Sequence, residues 1–71
     1  MAFWIRLIYE RNVYVIDLDR VAAFCQISKG RISFGLPDGE TTIVVHRQTD
    51  PESYLALLDY VESRTGHRLE E

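Results

Sequence analysis

The spacing of apolar residues changes once along this chain, at Asp50 and Pro51, and that change limits the architecture. Before it, residues 3–9, 13–18, 21–27, 31–36 and 41–47 form five runs that alternate or are rich in β-branched and aromatic side chains, the pattern of strands. After it, Tyr54, Leu57, Leu58 and Val61 follow the i, i+3, i+4, i+7 spacing of an amphipathic helix, and Leu55 widens the stripe. Asp50 suits an N-cap, Pro51 suits the first helical position, and Gly66 suits the left-handed residue that closes a helix. The expected fold is therefore α+β, an antiparallel meander of about five strands with one C-terminal amphipathic helix packed on one face. Residues 1–66 form a single domain in this reading, and residues 67–71 a frayed tail.

Turn chemistry assigns the strand registers. Asp38 and Gly39 form the strongest turn, which sets Phe34 opposite Ile43 and Ile32 opposite Val45. A turn at Lys29 and Gly30 sets Ile27 opposite Ile32 and Cys25 opposite Phe34. In that register Cys25 lies in the core, and Phe24 covers Gly35 on the outer face beside Val44. A turn at Arg11 and Asn12 sets Tyr9 opposite Tyr14, Leu7 opposite Ile16, and Arg6 opposite Asp17 as an ion pair.

The first hairpin carries the functional signal. One of its faces holds Phe3, Ile5, Leu7, Tyr9, Tyr14, Ile16 and Leu18, and the other holds Trp4, Arg6, Ile8, Val13, Val15 and Asp17. Both faces are apolar, yet one helix covers one face. The second face then meets another protein surface, or the sheet curls into a small barrel that buries both. Trp4, Arg6, Ile8, Val13, Val15, Phe24 and Val44 are the expected interface. Length favours this reading. A chain of 71 residues has little core, one cysteine excludes an internal disulfide, and two histidines with one cysteine are too few for a structural zinc. The expected partner is a second copy in a homodimer, with a second protein partner as the alternative.

Other destinations are weaker. No apolar run is long enough to span a bilayer, and no secretory signal is present, so a membrane is not expected and the lone thiol suits a reducing cytoplasm. The net charge of −3 argues against nucleic acid. Charge is nevertheless uneven: residues 1–35 carry five cations against three carboxylates, and residues 36–71 three against eight. A regulatory or nucleic-acid-binding module using Arg and aromatic side chains is the runner-up, and a small accessory subunit of a larger complex comes third.

No constellation for catalysis stands out. Cys25 and His46 are the only nucleophile and base of the usual kind, and the meander sets them on opposite faces. Asp17 and Asp19 flank a bend, and a calcium loop would need more oxygens. His46 and Arg47, next to Arg31 on the polar face, could contact an anion, but a solvated face is the expected state. The expectation is a non-enzymatic protein without a cofactor.

Overall fold

The computed structural model describes residues 3–69. The chain runs β1 (Trp4–Tyr9), β2 (Asn12–Asp17), a 3-10 turn (Leu18–Arg20), β3 (Phe24–Ser28), β4 (Arg31–Gly35), β5 (Thr42–His46) and α1 (Pro51–Thr65). It is an α+β fold, with the meander split into two antiparallel sheets, β1-β2 and β3-β4-β5. The helix packs over β1 and β5, and β1 passes close to β5.

The helix ends follow their sequence signals. The Asp50 carboxylate accepts the Ser53 backbone N–H at 3.2 Å, Pro51 stands in the first turn, and Gly66 closes the helix at φ 80°. Tyr54, Leu57, Leu58, Tyr60 and Val61 are buried. Leu55 does not widen the stripe. It remains 49% exposed, because its position points away from the sheets that Leu58 meets. The opposing core is Leu7, Ile16 and Leu18 from the hairpin segment with Ile32, Phe34, Ile43 and Val45 from β4 and β5.

The β4–β5 register is the expected one, Phe34 opposite Ile43 and Ile32 opposite Val45. Asp38 organises the loop between them. Its carboxylate accepts the backbone N–H groups of Glu40 and Thr41 and the Thr41 hydroxyl. Those donors favour the anion, first the Glu40 N–H and then that of Thr41, and hold its pKa below the ordinary aspartate value.

Two registers differ from expectation. The first hairpin turns at Glu10 and Arg11, both in the left-handed region at φ 50° and 70°, so Tyr9 pairs with Asn12 and Leu7 with Tyr14. This slips the expected register by two residues, which keeps every side chain on its face. It also separates Arg6 from Asp17. Arg6 lies opposite Val15, while the Asp17 carboxylate accepts the Asp19 N–H and lies 3.8 Å from Arg20.

In β3 the ladder is interrupted between Gln26 and Ser28, so Phe24 pairs with Phe34 and Cys25 with Ser33. The bulge exchanges the two faces of the strand. Phe24 turns inward against Phe34 and Tyr60, at ring centroids 5.4 and 5.9 Å away, and Cys25 and Ile27 turn out. Burying a phenyl ring removes far more apolar surface from water than burying a thiol, which favours this facing despite the broken ladder.

Residues 67–69 follow the helix without regular secondary structure. Arg68 pairs with Asp59 and Glu62, and Leu69 is half-buried against the core. Glu70 and Glu71 lie outside the described residues.

Candidate functional site

The outer face of the first hairpin is built by strand alternation alone. In β1, Ile5, Leu7 and Tyr9 point to the core side, which leaves Trp4, Arg6 and Ile8 outward. In β2, Tyr14 and Ile16 point inward, which leaves Val13 and Val15 outward. Cross-strand pairing sets Ile8 beside Val13 and Arg6 beside Val15, with Trp4 at the open end opposite Asp17. Trp4, Ile8, Val13 and Val15 are each between 55% and 62% exposed. Together they present roughly 500 Å² of surface, near the largest apolar patch an ordinary monomer shows. No described element of the chain covers it.

Five of the seven expected interface residues thus share one surface: Trp4, Arg6, Ile8, Val13 and Val15. Phe24 does not, because the bulge turns it to the core side. Val44 lies on the outer face of the three-stranded sheet, half-buried, in the row of Ser33 and Cys25.

A second cluster joins the 3-10 turn to the end of the helix. The buried Tyr60 donates its hydroxyl to Asp19 Oδ1 at 2.5 Å. Arg64 Nη2 donates to the same oxygen at 2.8 Å, and its guanidinium carbon stands 5.1 Å from the Tyr60 ring centroid. Burial, and then the hydrogen bond to Asp19, raise the Tyr60 phenol above its ordinary pKa. The Phe3 ring packs against that of Tyr60, tilted by 58° with centroids 5.1 Å apart. The sequence marks Asp19 only as a turn former, since its partners lie more than forty positions away and leave no local signal. This cluster clamps the turn to the helix.

Cys25 and His46 share a face, contrary to expectation, since the bulge reverses Cys25. Cys25 pairs with Ser33 in one row and His46 with Arg31 in the next, two strands away. Strand spacing and rise set their backbones about 12 Å apart, far beyond the reach of a nucleophile and its base. Among the described residues, no group of three His, Cys, Asp or Glu side chains is placed to hold a metal. No described helix is long and apolar enough to cross a membrane.

No family model matches the chain, and neither a curated protein nor a solved structure matches it.

Proposed function

We propose that this chain is a non-catalytic assembly module that works as a homodimer through the outer face of β1 and β2. One observation carries the reading: Trp4, Ile8, Val13 and Val15 lie on one face of the β1–β2 pair, each more than half exposed. Scattered apolar residues need no explanation, but a contiguous patch of this size on so small a chain does.

A second copy is the occupant that the surface itself favours. The face has Trp4 at one end and the Ile8–Val13 pair at the other, with Arg6 and Val15 between. A two-fold axis through the middle row seats Trp4 on Ile8 and Val13 of the partner subunit, and the reverse. Such a contact removes roughly 1,000 Å² in total from water, the low end for a specific interface. Arg6 sends its charged end to the rim while its stem covers apolar surface. The exposed Cys25 thiol suits a reducing cytoplasm, where it would not cross-link copies.

The test is sedimentation equilibrium at tens of micromolar, on the native chain and on Val15→Glu. The variant places a carboxylate opposite Arg6, a cross-strand pair that supports the hairpin while breaking the patch. The native chain is expected at twice 8.3 kDa and the variant at 8.3 kDa with its fold intact. A native chain that stays monomeric at the highest soluble concentration overturns the homodimer. Native chain recovered only with a second protein in fixed ratio, by way of Trp4 and Val15, would make it an accessory subunit instead.

A further inference from the structure

A cleft of about 490 Å³ lies between β1 and the start of α1. One side is lined by the consecutive residues 5–8 of β1, the other by Thr49, Asp50, Glu52, Ser53 and Ala56. A strand lines a cleft with successive residues where it presents its edge, because one face offers only alternate side chains. β1 has such an edge. It pairs with β2 alone, and it passes close to β5 without joining the three-stranded sheet.

The register fixes which polar groups that edge presents. In an antiparallel pair, residues alternate between those bonded to the partner strand and those whose backbone N–H and C=O point away from it. The Leu18 N–H donates to the Phe3 carbonyl at 2.8 Å, so Phe3 and, in step with it, Ile5, Leu7 and Tyr9 bond across the hairpin. The backbone groups of Trp4, Arg6 and Ile8 therefore point to the open edge, and no hydrogen bond reaches them among the described residues. Edge strands are guarded by proline, by a bulge or by charge. β1 has no proline, pairs without a bulge and carries one charge, Arg6, on its outer face.

We infer that this edge takes up an extended peptide segment carrying a lysine or arginine, as a strand added to β1. Arg6 and Ile8 each offer it one N–H and one C=O within the cleft. Residues of the added strand opposite Arg6 and Ile8 stand on the outer face, and those between them face α1. There the small Ala56 leaves room, and Asp50 and Glu52 supply two carboxylates. The Asp50 carboxylate already caps the helix through Ser53, whereas Glu52 is exposed, so a cation on the inward row is matched to Glu52. The space suits a single extended segment, since the β1 edge of a second copy arrives with its own α1 in front of it. The assembly reading uses the outer face of β1 and this one uses its edge, so each stands without the other.

The experiment adds the peptide acetyl-Thr-Val-Lys-Val-Thr-amide to the full chain while following backbone amide resonances and amide hydrogen exchange. In the free chain the Arg6 and Ile8 amides should exchange fast and those of Ile5 and Leu7 slowly. Saturating peptide should slow Arg6 and Ile8, with shifts confined to residues 4–8 and 49–56. Methylating alternate peptide nitrogens separates the two edges of the peptide. One set should weaken binding at least about tenfold through lost backbone hydrogen bonds, and the other should change little. Glu52→Gln, or glutamate in place of the peptide lysine, should weaken binding about two- to fivefold, as for an exposed ion pair. Val15→Glu, which breaks the hairpin patch, should still bind, so failure of the homodimer and failure of this site are read separately. Shifts centred on residues 13–17, no saturable shift at residues 4–8, or equal weakening by both methylated sets overturns the proposal. So does protection of Arg6 and Ile8 that rises with protein concentration in the absence of peptide, which assigns the edge to a second copy. A glutamate peptide that binds as tightly as the lysine one overturns the cationic partner.

Discussion

Replacing Tyr60 with Phe removes one oxygen atom and leaves the ring against Phe3, Phe24 and the Arg64 guanidinium. The cost is then that of one hydrogen bond to a carboxylate. Such bonds contribute about 1.5 to 3 kcal/mol. Asp19 keeps Arg64 at 2.8 Å and is partly hydrated, which places the expected loss near the lower end, about 1.5 kcal/mol. In a chain of this length each kcal/mol moves the melting temperature by about 4 to 8 °C, so Tyr60→Phe should melt roughly 6 to 12 °C lower. The assay is thermal unfolding followed by circular dichroism at one fixed protein concentration, because a dimer's stability depends on concentration. Asp19→Asn and the double variant complete a cycle, with a coupling of about 1 kcal/mol expected. Arg64→Ala should cost about 1 kcal/mol, since its ion pair is exposed and its stacking on Tyr60 modest. A Tyr60→Phe variant as stable as the native chain, or a cycle with no coupling, would refute the claim that this bond clamps the turn to the helix.

The same phenol gives a pH dependence. Its pKa is raised in the fold, so the folded chain holds the proton more tightly than the unfolded one; stability is full below the ordinary tyrosine value of about 10 and falls above it. The part of that loss absent from Tyr60→Phe melts belongs to Tyr60. Leu58→Ala, in the buried helix stripe, should cost about 2 to 5 kcal/mol and leave little folded protein by circular dichroism. Asp59→Ala, whose pair with Arg68 is exposed, should stay within about 0.5 kcal/mol of native in the same melts. Cys25 should react with a thiol reagent at the rate of an open thiol, and Cys25→Ala should change stability by less than about 0.5 kcal/mol. A native chain that resists modification would show the facing of β3 to be wrong.

What could be read from residues alone was what depends on neighbours in the chain. The caps at Asp50, Pro51 and Gly66 and the loop at Asp38 act over three or four positions, and each forms as its chemistry dictates. The two faces of the first hairpin were legible because alternation survives a slip of two. The register itself was not, since Asn12 looks like a turn residue while the left-handed positions fall on Glu10 and Arg11, which give no such signal. Five residues of the hairpin surface were therefore found, and Phe24 was misplaced by a bulge that tertiary packing selects. Tyr60 and Asp19 lie 41 positions apart, so their contact leaves no local signal in the sequence.

The interruption in β3 also decides where this chain tolerates a change of length. Ile27 is the supernumerary residue: Gln26 pairs with Ile32 and Ser28 with Arg31, and nothing pairs with the residue between. Deleting Ile27 would leave a regular ladder with Phe24 still opposite Phe34 and Cys25 still opposite Ser33. A residue lost from the middle of β4 instead would turn half of that strand inside out, exchanging Ile32 or Phe34 for a polar neighbour. Within the sheet, Ile27 is thus a point where a one-residue deletion acts as a mild substitution, sparing the aromatic packing at Phe24, three residues away.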